Sequence, residues 1–242
     1  MLRILHHTLV IVCCFVVAFF LAWKLLQTVN YGYSFWYKQL DIGTHITKYA
    51  AQNRQGKTGF ENTSVAEHKR LFNAISLAVN SHGDGLRELS YRAGPNQPLQ
   101  VLLTNDEAVH LEDVARVIDV MIPVGWGSLA LLIALVILAR MGAIPLPGIT
   151  KSLLTLFILA LVTTCAIVII GPHEVFKAFH VLVFPDDHPW FFYYQDSLMT
   201  TLMKAPDIFF AIGASWALLS VIIYLLVTGG LKLIDSHHDS AR

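Results

Sequence analysis

The chain has 242 residues, 55% of them hydrophobic and 14% charged, with 17 basic residues balanced by 17 acidic ones. An ordinary soluble domain carries roughly 25% charge, so much of this chain belongs outside water, and the balanced charge excludes the basic footprint of a nucleic-acid partner. The composition points to an all-α membrane protein with four transmembrane helices, a small, mainly helical non-cytoplasmic domain between helices 1 and 2, and an interfacial helix between helices 3 and 4.

Residues 4–23 hold no charged side chain and are long enough for a first span, since a helix needs about 20 mainly apolar residues to cross the hydrocarbon core. Phe20-Leu21-Ala22 puts a bulky side chain where a signal-peptide cleavage site wants a small one, so an uncleaved anchor is expected. Residues 24–119 then form the non-cytoplasmic domain. Tyr31, Tyr33, Trp36 and Tyr37 at its start fit an aromatic belt at the headgroup level, or alternatively an entrance for lipid. Ser64-Val65-Ala66-Glu67 has the form of a capping box, and Val65, Leu71, Phe72, Ile75 and Val79 recur near helical spacing. This predicts an amphipathic helix of about four turns, ending near Ser81-His82-Gly83. Leu86 to Arg92 and Leu99 to Thr104, separated by Ala93 to Pro98, predict a hairpin with a long turn. The domain is expected to be too small and polar to hold a large core by itself, and so to pack on the membrane face of the helices.

Thr104-Asn105-Asp106-Glu107 is a second capping box, opening a helix that can run straight into the second span, residues 120–139. Glu107, His110, Asp113, Val114 and Val117 share one face of it, with His110 just above the membrane. A carboxylate three residues to either side could orient the imidazole and raise its basicity, which suits a general base; a solvated helix with i, i+3 polar pairs has the same pattern. Residues 140–151 form a short loop and 152–173 the third span. In the 174–207 segment, Phe176, Phe179, His180 and Val183 repeat as in a helix lying on or dipping into the interface. A histidine there is costly without a partner, which makes His180 a functional candidate, whereas His188, in the turn Pro185-Asp186-Asp187-His188-Pro189, is expected to be solvated. Trp190 to Tyr194 form a second aromatic cluster, residues 208–231 the fourth span, and 232–242 a tail.

Arg3, Arg140, Lys151, Lys232 and Arg242 flank the spans on one side, which places both termini and the 140–151 loop in the cytoplasm and sends 24–119 and 174–207 outside. Cys13, Cys14 and Cys165 all fall within spans, so no disulfide framework and no redox CxxC motif is expected. His173-Glu174 lacks the second histidine of a zinc-binding HExxH, since position 177 is Lys177, and no metal is expected. The nucleophile elbow of serine hydrolases and the phosphate-binding Gly-rich Lys loop are absent from the sequence. No span carries a central charge, so transport is not supported either.

Glu107-x-x-His110-Leu111-x-Asp113-Val114, then Phe179-His180, Phe184, Trp190, Asp196, Pro206 and Phe209-Phe210, in a chain of four spans, resembles the bacterial lipoprotein intramolecular transacylase family. The resemblance implies acyl transfer on the outer face of the bacterial plasma membrane. A fatty acyl chain would move from the sn-2 ester of a lipoprotein's diacylglyceryl-cysteine to the α-amine of the same cysteine, giving a lyso-form lipoprotein. The substrate implied is a diacylated bacterial lipoprotein within membrane lipid, and no cofactor is implied. The family's two functional histidines fall on His110 and His180, with Glu107 and Asp113 as supporting carboxylates. Arg116, Trp190 and Asp196 could orient or stabilise; interfacial snorkelling, an aromatic belt and helix capping fit them as well. The chain departs from the family pattern at Pro185-Asp186-Asp187-His188-Pro189 and matches loosely over 24–103. Two alternatives stay open: a lipid-binding or scaffold protein with structural histidines, and a hydrolase that shares the site but passes the acyl group to water.

Overall fold

The structure is a computed structural model that describes residues 1–142 and 145–239, with side chains to Leu233. Arg242, and the middle of the 140–151 loop, lie outside the described residues. Four helices among the described residues are long and apolar enough to cross a membrane: α1 (Leu2–Thr28), α5 (Asn105–Arg140), α6 (Ile149–Ile170) and α9 (Asp207–Asp239). The remaining elements are α2 (Tyr33–Gln39), α3 (Ile42–Ala50), α4 (Val65–Val79), the strands β1 (Ser90–Arg92) and β2 (Leu99–Val101), α7 (Pro172–Val183) and α8 (Leu198–Met203). The all-α membrane class expected from composition is what the chain adopts.

The described chain divides into two compact units. The first takes Met1–Lys24, Met121–Leu182 and Trp216–Arg242. Its core is a seam on α1, made of Val10, Cys13, Cys14, Val17, Ala18 and Ala22, packed with Leu132, Leu135 and Ala139 of α5 and Ile223 and Tyr224 of α9. Small residues at that helical spacing let helices approach closely where lipid supplies no hydrophobic drive for their association. A Cβ on Gly125 would lie 2.3 Å from the Phe20 ring, so that contact requires glycine. Polar ties add to the packing: Trp216 Nε1 donates to the Phe19 carbonyl at 2.8 Å and the Tyr224 hydroxyl donates to the Ser152 carbonyl at 3.1 Å. The exposed flank of α6 is almost wholly apolar, as lipid contact demands. α6 stops at Ile170, where Gly171 takes φ 91° and Pro172 opens α7.

The second unit takes Leu25–Val120 and Val183–Ser215. The serine half of its first capping box forms, with Ser64 Oγ accepting from the Glu67 amide at 3.2 Å, while the Glu67 carboxylate accepts from Arg70 instead of reaching back; α4 runs its four turns to Val79. β1 and β2 pair antiparallel with Tyr91 opposite Gln100; Leu86–Glu88 is a 3-10 turn, so the strands are shorter than the alternation suggested. The unit has a substantial core, but residues 24–119 do not make it by themselves. Tyr33 stacks on Phe72 with ring centres 4.0 Å apart, and these join Phe60, Leu71, Tyr91, Leu102, Leu198 and Leu202 in a fully or almost fully buried set. The core exists because the second stretch completes it: all six residues of α8 are buried, and the Tyr33 hydroxyl donates to the Leu202 carbonyl at 2.8 Å.

Candidate active site

Most of the sequence-predicted polar residues lie on the first turns of α5. The second capping box is reciprocal: the Glu107 amide donates to Thr104 Oγ1 at 3.3 Å, and Glu107 Oε2 accepts from the Thr104 amide at 2.5 Å. The other carboxylate oxygen reaches across the unit and accepts from Ser197 Oγ at 2.5 Å and from the Met199 amide at 3.1 Å, helping cap α8. Lys57 Nζ stands 3.9 Å from Oε2 and donates to the Leu102 carbonyl. Burial holds the Lys57 ammonium below the usual lysine range, and Glu107 offsets part of that shift. Glu107 is fully buried, so its carboxylate ties the head of α5 to α8 and holds the platform on which the next turns sit.

One turn on, His110 is half-buried. Phe184 meets its ring edge-on at 5.0 Å and Phe192 lies tilted at 6.1 Å. A further turn on, Asp113 is 3% exposed, which requires its charge to be matched. Oδ1 accepts from Arg116 Nη1 and Oδ2 accepts from His188 Nδ1 at 2.6 Å. His188 is therefore not a solvated turn residue. The turn forms as expected, with the His188 amide donating to the Pro185 carbonyl at 3.1 Å, but it directs the ring onto a carboxylate 75 residues earlier in the chain.

Asp196 is engaged by Arg54 through two bonds of 2.9 and 2.6 Å, and the ring of Trp190 meets Phe191 edge-on at 6.1 Å. Asp196, Phe191 and Phe192 line an open groove of about 280 Å³ with Gln55, Thr104, Asp106 and Tyr193. His180 belongs to the first unit. Its Nδ1 donates to the Phe176 carbonyl one turn back at 2.8 Å, and Phe176 and Phe179 lie 4.1 and 5.4 Å from its ring. Burial lowers its pKa below the ordinary histidine value, against a smaller upward pull from the Phe176 carbonyl. Nδ1 carries the proton, so Nε2 is the basic nitrogen of the neutral ring. Among the described residues no group of three His, Cys, Asp or Glu side chains is arranged to hold a metal ion.

These features define a multi-pass, mainly helical membrane protein with histidines held in aromatic and carboxylate surroundings. The sequence profile of the family described as lipoprotein intramolecular transacylase Lit matches residues 7–210, and the chain belongs to that family. Among solved structures, it is similar to the in meso structure of the membrane integral lipoprotein intramolecular transacylase Lit from Bacillus cereus, carrying a histidine-to-arginine substitution. The TM-score is 0.68 at 15% identity, covering 100% of this chain and 95% of that one. At that identity the likeness speaks for the fold. No curated protein sequence matches the chain.

Proposed function

We propose that this chain moves a fatty acyl group from the sn-2 ester of a lipoprotein's diacylglyceryl-cysteine to the α-amine of the same cysteine, leaving a lyso-form lipoprotein. The observation that carries this reading is the family match over residues 7–210, which takes in both His110 and His180. In the proposed topology both termini face the cytoplasm, residues 24–119 and 174–207 face outside, and the reaction takes place at the outer leaflet. The basic flanks support that orientation.

Ester-to-amide exchange runs downhill and needs no cofactor, since the nucleophile and the acyl donor sit on one molecule. Holding them in a productive geometry contributes about 7–11 kcal/mol. His110 and His180 act as the acid/base groups, a role worth about 10²- to 10⁴-fold. The amine nitrogen attacks the ester carbonyl carbon and the C–N bond forms. A histidine takes the nitrogen's proton, the glycerol C–O bond breaks, and the departing oxygen receives a proton. A neutral His180 with a basic Nε2 is fit to accept a proton at pH 7, and its depressed pKa supports that assignment.

The test is tandem mass spectrometry of a reporter lipoprotein's N-terminal lipopeptide, from cells lacking other N-acylating enzymes. The parent chain is expected to move one acyl group from glycerol to the cysteine nitrogen, and His110→Ala and His180→Ala to leave the diacylglyceryl form intact. An unmodified lipopeptide from well-expressed parent protein overturns the reading.

A further inference from the structure

The loop 184–192 grips α5 at three points, all within one unit: Phe184 and Phe192 on His110, and His188 on Asp113. Because positions 110 and 113 are neighbours on one helix face, about 5–6 Å apart at Cβ, the loop sets the His188 ring beside His110. An ionised carboxylate only accepts hydrogen bonds, so the Asp113 contact fixes the proton of His188 on Nδ1 and leaves the lone pair on Nε2. A carboxylate in that position also stabilises the imidazolium once it forms. The His188 side chain is 28% accessible against 3% for Asp113, so a buried carboxylate anchors a part-exposed ring. The charged group that meets it is Asp113, which Arg116 also meets; His110 stands one turn earlier on α5, and Asp186 and Asp187 precede it in its own turn.

We infer that His188, positioned by Asp113, is a third catalytic histidine of this chain, the base that removes a proton from the substrate's α-ammonium before attack. The inference rests on the proposed transacylase reading. An α-ammonium has a pKa of about 8, so near neutral pH most substrate arrives in a form with no nucleophilic lone pair. Nε2 takes one N–H proton and becomes imidazolium, the amine nitrogen keeps the electron pair of that bond, and the proton then passes to water. Attack and collapse of the tetrahedral intermediate stay with His110 and His180. Asp113 is a positioning residue, acting through the ring it holds, and Arg116 shares its charge.

A mere clamp and a base differ in what asparagine does at position 188. His188→Asn keeps an N–H donor near Nδ1 for Asp113 but has nothing in place of Nε2. His188→Ala removes both. The experiment is a purified-protein assay of acyl migration on a synthetic diacylglyceryl-cysteine peptide from pH 6 to 9, with thermal unfolding of each variant in the same detergent. The expected result is a loss of up to about 30-fold at pH 6.5 in both variants, where only about 3% of an amine with a pKa near 8 is neutral, narrowing almost to nothing at pH 9, where about 90% of it is. The Asn variant should unfold close to the parent. Asn-variant activity near that of the parent at pH 6.5, or a loss constant across the pH range, overturns the base role and leaves the transacylase reading standing. A parent chain with no acyl migration at any pH overturns both.

Discussion

Glu107→Ala is the substitution whose effect follows most directly from the geometry. It strips the acceptor from the Thr104 and Met199 amides and the Ser197 hydroxyl, and the counter-charge from Lys57, at a position with no exposure. Each buried donor left unsatisfied costs about 1–3 kcal/mol, and removing one partner of a buried ion pair costs about 3–5 kcal/mol. These contributions overlap in one site, so the expected loss is about 3–5 kcal/mol overall. At about 2–4 °C per kcal/mol for a chain of this size, the unfolding midpoint should fall by roughly 6–20 °C. Glu107→Gln keeps one acceptor oxygen and turns an amide toward a donor, so about half that loss is expected. Scanning calorimetry of the detergent-solubilised protein, with hydrogen exchange at the Met199 amide, reads both effects. A midpoint within about 3 °C of the parent, with Met199 still protected, would refute the view that Glu107 ties α5 to α8.

His45 and His68 are buried and held neutral, each with its pKa lowered by burial to about 4. Below about pH 6.5 the unfolded chain binds protons that the folded one refuses, so stability should fall between pH 6.5 and 4 by at most about 3 kcal/mol per histidine. His68→Gln should flatten its share of that slope, measured as unfolding midpoint against pH; an unchanged slope counts against the assignment. His68 lies between the Tyr37 hydroxyl and Thr63 Oγ1, both at 2.8 Å, which accounts for its tolerance of burial while neutral. Gly125→Ala drives a methyl into the Phe20 ring and should cost about 1–3 kcal/mol in the same unfolding assay. Adding Phe20→Leu should recover part of that loss, and no recovery would place the strain elsewhere. Asp113→Asn keeps an acceptor for His188 but removes the charge that stabilises the imidazolium formed on proton transfer, so the transfer rate should fall while the unfolding midpoint stays near the parent's; an unchanged rate counts against the positioning role.

Local signals in the sequence carried a good part of this molecule. Ser64 and Glu67, and Thr104 and Glu107, mark helix starts because a capping box is built from residues three apart; both helices start where that spacing puts them, the second with the full reciprocal box and the first with the serine cap. Four spans are legible for a similar reason, since crossing a membrane requires one long apolar helix at a time. Pairings between distant segments leave no periodic trace. Glu107 meets Ser197 across 90 residues, and Asp113 meets His188 across 75. Read alone, Pro185-Asp186-Asp187-His188-Pro189 is a polar turn, and nothing in those five residues reveals the buried carboxylate opposite. The core of the second unit was hidden in the same way. Residues 24–119 are short of apolar mass by themselves, and α8, which completes the core, follows only after two intervening spans. The short apolar run Leu198–Met203, behind the capping serine Ser197, was the one available hint of that docking.

Acyl migration itself can be followed with a diacylglyceryl-cysteine peptide bearing an isotopic label in the sn-2 acyl chain, incubated with the purified protein and analysed by tandem mass spectrometry. Transfer predicts that the label moves to the cysteine nitrogen of the same peptide, leaving a lyso-glyceryl group and no labelled free fatty acid. Label released as free fatty acid would show a hydrolase, and label retained at sn-2 on well-folded protein would contradict the transfer reaction.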